Sequence, residues 1–328
     1  MDFSAVARLA GGYAEARAIQ TGIELGVFEA LRNSSTAAQL AGSLACDPRA
    51  MELLLDALVS IGLLDKAGAS YSLNETSSTY LVKRSPKYLG GMIAFDASLW
   101  NAWGRLAESI RTGKPTRSPD MYQNTPEETG RFIGAMDSLV HARGDAEIVS
   151  EHLDLSGVRA MLDVGSGPAT YPIEFCRHYP ALRATIFDLP ATLQITEKFV
   201  RDAGMRDRIN LVAGDYRTDK IPGSYDLVYL SNIIHGEGDE ENNRLISKLY
   251  GCLTPGGRIV IKDHILDDSR TQPTSGAVFA LTMLLTTERG KCYSYLEVKA
   301  WLSTAGFKNI HEVPLPQPLT SSLVIGTK

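Results

Sequence analysis

Cysteine is scarce in this sequence: four occur in 328 residues, at Cys46, Cys176, Cys252 and Cys292, with no C-x-x-C pair. That spacing argues against a disulfide framework or a zinc site and for reduced, buried thiols. Positive charge is not in excess either: 33 Lys and Arg face 38 Asp and Glu, for a formal net charge of −5. Without a basic excess there is little to neutralise phosphates, so no nucleic-acid partner is expected. No apolar run approaches the roughly 20 residues of a membrane span. The start, Met1-Asp2-Phe3, has neither the basic nor the apolar region of a signal peptide. No membrane partner and a cytoplasmic location are therefore expected. The chain also lacks a phosphate loop of the G-x-x-x-x-G-K-[ST] kind, a G-x-S-x-G elbow and internal repeats.

What is present divides the chain in two. A length of 328 residues exceeds what one compact core usually takes. Residues 5–31 carry apolar positions at helical spacing, with a break allowed at Gly26. Thr36 to Gln39 reads as a capping-box start, and Asp47-Pro48 as N-cap and first helical position of a helix with the stripe Leu53, Leu54, Ala57, Leu58, Ile61. Gly62 closes it, and Leu63-Leu64-Asp65, a turn at Gly68 and Tyr71-Ser72-Leu73 suggest a small hairpin. That is the winged-helix order. Its recognition-type helix carries only Arg49 as a base beside Glu52 and Asp56, which favours protein packing over a phosphate backbone. Further helices are expected from Met92 to Ile110 and from Glu127 to His152. From Val158 the pattern changes to β-type runs at 159–164, 183–188, 209–213, 225–230 and 257–262, alternating with helical stretches. The fold class is therefore α/β: a C-terminal Rossmann-like, doubly wound domain with an N-terminal, mostly helical winged-helix domain. The boundaries drawn are 1–85, a helical linker at 86–152, and 153–328.

The strongest chemical signal is Leu162-Asp163-Val164-Gly165-Ser166-Gly167-Pro168-Ala169-Thr170, in which a β-run meets a Gly-rich turn and a helix start. Glycines let a backbone approach a ligand closely, and a helix N-terminus supplies N–H groups. Asp188 ends the next β-run, where a carboxylate can accept both ribose hydroxyls. A pyrophosphate dinucleotide prefers G-x-G-x-x-G. Here Thr170 takes the third glycine's place, and Asp163 precedes the turn. A carboxylate there repels a pyrophosphate but suits the ammonium of a methionyl group, so a nicotinamide oxidoreductase is disfavoured.

Asp163-x-Gly165-x-Gly167, Asp188, Gly214-Asp215-Tyr216 and Leu253-Thr254-Pro255-Gly256-Gly257 together resemble the successive motifs of class I S-adenosylmethionine methyltransferases. Residues 20–91 resemble the winged-helix dimerisation domain of small-molecule O-methyltransferases, at Gly22 to Phe28, Leu55 to Leu64 and Tyr88 to Met92. That family includes plant phenylpropanoid, acetylserotonin and bacterial tailoring enzymes, and the resemblance covers nearly the whole chain. It implies S-adenosylmethionine as cofactor and a homodimer formed through the N-terminal domain. A small, flat, apolar acceptor with a phenolic or enolic hydroxyl is expected. Asp163, Gly165 and Gly167 would line the methionyl portion and Asp188 the ribose. Asp215 would bond the adenine amino group and Tyr216 pack on its ring, with Leu189, Gly214 and Ser231 completing the set.

His235 falls where the family places its catalytic histidine. An imidazole's pKa near neutrality suits removal of a hydroxyl proton. Three departures weaken that base. Gly236 stands where Asp commonly follows, Cys292 where a glutamate often flanks the histidine, and Leu323 to Gly326 brings no second glutamate. A base needs an orienting partner, and Glu237 and Asp263 are both open candidates. The acceptor pocket is expected among Trp100, Trp103, Phe132, Met136, Asn232, Phe279, Met283 and Tyr293. No metal site is expected. C-methylation on the same scaffold, and a ligand-sensing winged-helix regulator, are the competing readings.

Overall fold

The computed structural model describes residues 1–119 and 123–328. The chain forms two compact units: Met1–Trp100 with Gly134–Ala142, and Asn101–Ile133 with Arg143–Lys328.

In the first unit a helix runs over Phe3–Leu25, capped by the Asp2 carboxylate on the Ala5 N–H, and stops at Gly26, whose φ of +78° is left-handed. The short helix Val27–Ala30 follows. β1 (Ser35–Thr36) leads into the helix Ala37–Ser43, where Thr36 and Gln39 form the expected capping box. Asp47 caps the helix Pro48–Ser60. The hairpin is β2 (Leu64–Ala67) and β3 (Ser70–Leu73), and β1 pairs with β3 to give the sheet order β1-β3-β2. Val27, Phe28, Leu31, Leu40, Leu55, Leu58, Leu64 and Tyr71 fill the core. Gly22 has to be small, because a Cβ there would lie 2.8 Å from the Phe28 ring. Further helices span Glu75–Tyr80 and Gly90–Ser98.

The second unit is built on a seven-stranded sheet of order β6-β5-β4-β7-β8-β10-β9. Its strands are β4 (Ala160–Val164), β5 (Arg183–Asp188), β6 (Ile209–Ala213), β7 (Tyr225–Ser231), β8 (Leu253–Asp263), β9 (Lys308–Pro314) and β10 (Ser322–Thr327). β4 to β8 are parallel, whereas β10 runs antiparallel to β8 and β9. The chain winds outward through β4, β5 and β6, then returns to the other side of β4 with β7. The switch point therefore lies between β4 and β7, where ligands of such sheets bind. Alternation sorts the side chains. Leu162, Val164, Val228, Leu230, Ile259 and Ile261 pack with the helices Asp239–Gly251 and Tyr295–Ala305. On the opposite face Tyr229 meets Phe175 and Tyr171 of the helix Thr170–His178, at 5.3 and 5.4 Å between ring centroids.

Two expected helices are interrupted. The stretch from Met92 to Ile110 is three helices, Gly90–Ser98, Trp100–Gly104 and Leu106–Thr112. At Leu99 and Arg105 the N–H bonds the third residue back, Asp96 and Ala102, so the turn tightens and the axis breaks. The stretch from Glu127 to His152 divides into Pro126–Arg143 and Asp145–His152 at Gly144, with φ +70°. Among the described residues no helix is long and apolar enough to cross a membrane.

Candidate active site

The loop after β4 is held in a shape that glycine permits. Gly165, Gly167 and Ala169 have φ of +69°, +58° and +61°, and a Cβ at Gly165 would run into Ile233 Cδ1. Asp188, at the end of β5, clamps the loop: its Oδ2 accepts the Gly167 N–H at 2.9 Å and its Oδ1 the Leu189 N–H at 2.7 Å. Thr196 Oγ1 adds a 2.6 Å bond to the Gly167 carbonyl. Asp163 is 1% exposed. Its Oδ2 accepts from Ser166 Oγ at 2.6 Å, while Oδ1 is buried without a partner. Burial, reinforced by the nearby Asp188 charge, pushes the Asp163 carboxyl up to about 7. Burial raises Asp188 as well.

Gly214 follows β6 against the Phe187 ring, into which a Cβ would run. The Asp215 carboxylate accepts from the Arg217 N–H at 2.8 Å. The Tyr216 hydroxyl donates to Glu237 Oε1 at 2.7 Å, and Arg217 Nε donates to the same oxygen at 2.8 Å. Ser231 ends β7, and its Oγ accepts from Asn232 Nδ2 at 3.1 Å. The nine candidate cofactor residues thus stand at or just past the carboxyl ends of β4, β5, β6 and β7.

His235 sits in a 3-10 turn, Ile234–Gly236, that β7 enters through Asn232 at φ +57°. The turn is braced on three sides. Asn242 Nδ2 donates to the Ile234 carbonyl at 2.9 Å, the Tyr293 hydroxyl donates to the Glu237 carbonyl at 2.5 Å, and Gly290 packs so tightly that a Cβ would run into the His235 carbonyl. His235 Nδ1 lies 2.7 Å from Oδ1 of Asp263, the last residue of β8. Asp263 is 1% exposed. Burial raises its pKa, but His235 and the His264 N–H outweigh that, and the carboxyl is held below its ordinary value. The partner left open by the sequence is therefore Asp263. Glu237 is engaged by Tyr216 and Arg217 instead. Cys292 is a buried thiol pushed up to about 12, first by burial and then by the Asp263 charge, so it stays neutral.

Of the candidate pocket residues, Phe279 packs on His235 and His264 at 5.1 and 4.6 Å between ring centroids. Met283 lies one turn further along the same helix, Thr274–Thr286, and is buried. Tyr293 is fully buried, edge-on to Trp301 at 4.6 Å. Trp103 and Phe132 are half-buried in the same unit. Trp100 and Met136 belong to the other unit, where the Arg17 guanidinium lies 5.9 Å from the Trp100 ring. Lys262 was not singled out from the sequence. Lys262 had a visible signal, since it interrupts the apolar run Ile259-Val260-Ile261.

Residues 103–308 match the O-methyltransferase domain family, and residues 7–83 match the O-methyltransferase dimerisation domain. The chain belongs to the S-adenosylmethionine-dependent O-methyltransferase family. Among its relatives, the 3-hydroxy-5-methyl-1-naphthoate 3-O-methyltransferase of Streptomyces sahachiroi is 32% identical, over 98% of this chain and 94% of that protein. The tetracenomycin polyketide synthesis 8-O-methyl transferase TcmO of Streptomyces glaucescens is 31% identical, over 95% and 93%. Among solved structures, PigF with S-adenosylhomocysteine superposes with a TM-score of 0.91 at 26% identity over 100% of both chains. Human N-acetylserotonin methyltransferase has the same fold, at a TM-score of 0.89 and 24% identity, covering 100% of this chain and 98% of that one.

The loop of this O-methyltransferase fits the family's cofactor. Two buried carboxylates flank it, one with an unpartnered oxygen, and among the described residues no cationic side chain bonds either. A cationic amino-acid nucleoside relieves that arrangement, and a pyrophosphate would aggravate it.

Proposed function

We propose that this enzyme methylates a phenolic or enolic hydroxyl of a small, flat, apolar secondary metabolite, with His235 as the general base. One observation carries the reading: His235 Nδ1 lies 2.7 Å from the buried Asp263 carboxylate. An ionised carboxylate can only accept, so Nδ1 bears a proton, and in the neutral ring Nε2 presents its lone pair. Such a pair takes a hydroxyl proton as the oxygen attacks, and Asp263 balances the charge gained by the ring.

S-adenosylmethionine supplies a methyl group made electrophilic by its sulfonium. Asp163, Gly165 and Gly167 would hold its methionyl part, Asp188 and Leu189 the ribose, and Gly214, Asp215, Tyr216 and Ser231 the adenine side. The chain's own contribution is to hold the hydroxyl oxygen in line and exclude water, which removes much of the barrier. Phe279, Met283, Asn232, Trp103 and Phe132 supply apolar or adaptable wall, with Tyr293 the remaining pocket candidate of this unit. The names of the naphthoate and tetracenomycin relatives point to fused aromatic acceptors. A homodimer through the N-terminal domain accords with the dimerisation-domain match and with an exposed apolar stripe, Phe3, Val6, Leu9 and Tyr13, on the first helix.

His235→Ala tests the assignment. Affinity for S-adenosylhomocysteine, measured by calorimetry, is expected to stay within twofold, while turnover falls by roughly two to four orders of magnitude. Unchanged turnover would make His235 structural. Mass and NMR analysis of the product distinguishes oxygen from carbon as the methylated atom.

A further inference from the structure

One histidine beside the base takes no part in the chemistry above. His264 follows Asp263 at the carboxyl end of β8, and its backbone N–H donates to the same Oδ1 that holds His235, at 2.7 Å. Its Nδ1 lies 3.2 Å from the Thr320 carbonyl oxygen. Thr320 Oγ1 lies 3.4 Å from the same nitrogen, but the nearer carbonyl can only accept, so Nδ1 carries the proton and donates to this residue's oxygens, leaving Nε2 as the bare lone pair. The ring stays in that form at neutral pH. Burial holds its pKa down to about 4, with His235 and Lys262 adding to the effect and Asp263 opposing it.

The His264 ring is nevertheless only half-buried, and among the described residues its Nε2 has neither a hydrogen bond nor a place with the sealed, unpartnered atoms. His235 lies beside it. The two imidazole centroids are 6.3 Å apart, and Phe279 packs on both. Two imidazoles and one apolar ring thus stand together, with His264 Nε2 unbonded among the described residues.

We propose that His264 Nε2 is a second anchor for the acceptor. It receives a hydrogen bond from a hydroxyl or N–H near the hydroxyl that His235 deprotonates, so the enzyme selects dihydroxy- or amino-hydroxyarenes. The inference rests on the O-methylation reading and specifies its substrate class. It also excludes a carboxylate from that position, because a carboxylate would set lone pair against lone pair. His264 acts here as a specificity residue and moves no proton.

The test is a titration of the S-adenosylhomocysteine-loaded enzyme with naphthalene-1,3-diol, 2-naphthol and 3-hydroxy-1-naphthoate. The diol is expected to bind roughly tenfold tighter than either, the worth of one buried hydrogen bond. In His264→Phe the preference should vanish through weaker diol binding, with 2-naphthol and S-adenosylhomocysteine affinities unchanged. His264→Gln, which keeps an acceptor oxygen, should restore part of it. Equal wild-type affinity for diol and 2-naphthol, a naphthoate that binds as tightly as the diol, or a preference that survives His264→Phe each overturns the assignment of His264 alone. Binding of S-adenosylhomocysteine with no binding of any arene overturns the hydroxyarene reading along with it.

Discussion

A buried carboxylate with no cationic side chain bonded to it among the described residues prefers to be neutral, and Asp163 is that carboxylate. Burial lifts its pKa to about 7, so in the free enzyme it is largely protonated below that pH. A cationic ligand needs the ionised form. Affinity for S-adenosylmethionine is therefore expected to rise as pH increases from 5 to about 7 and to level off above it. Binding near pH 6 should release a proton, visible by calorimetry in buffers of differing ionisation enthalpy. Asp163→Asn should flatten the profile and lower the plateau. The stability linkage has the same origin: a raised acid pKa means stability is fullest below the unfolded-state value of about 4 and declines as pH rises towards 7. The residue types of this site were legible in the sequence, because Asp163, Gly165, Gly167 and Asp188 form a local pattern. The partner of His235 was not. Glu237 and Asp263 are equally good carboxylates on paper, and only the pairing of β7 with β8 brings Asp263 to the imidazole while Tyr216 and Arg217 take Glu237.

Elements were legible where one signal dominated. The caps at Asp47 and Thr36, the strand before the glycine loop, and the alternation of strands and helices all follow from short stretches of sequence. The breaks at Leu99, Arg105 and Gly144 were not seen, because a single glycine or a tightened turn perturbs helical periodicity too little to register. The two-residue β1 also escaped, since its pairing with β3 is set by tertiary contact. The turn that carries His235 is a further case, since it is shaped from outside by Asn242, Tyr293 and Gly290. Gly290→Ala is expected to push the His235 carbonyl outward and swing the imidazole off line. Turnover should drop at least tenfold, while S-adenosylhomocysteine affinity, which depends on the other strand ends, stays near wild type. A parallel loss of both would show that the turn and the cofactor loop move as one.

At the scale of the whole molecule the second unit has a buried charge cluster close to its catalytic strands. The Lys262 ammonium stands 3.4 Å from Asp145, which also binds Arg143 through bonds of 2.8 and 2.7 Å and the Tyr171 hydroxyl at 3.2 Å. Burial lowers the Lys262 pKa against the pull of Asp145. Lys262→Met is expected to be close to neutral, since Asp145 keeps its Arg143 partner. Asp145→Ala strands two cations and should cost about 3–5 kcal/mol, read by urea denaturation. The central claim, that His235 removes the acceptor's proton, is tested most directly by single-turnover methyl transfer in wild type and His235→Gln as a function of pH. A pre-ionised hydroxyl needs no base. The wild-type advantage is therefore expected to be largest near pH 7 and to shrink towards unity as pH approaches the hydroxyl's own pKa. A ratio that does not change with pH, or that is unity throughout, would contradict the account.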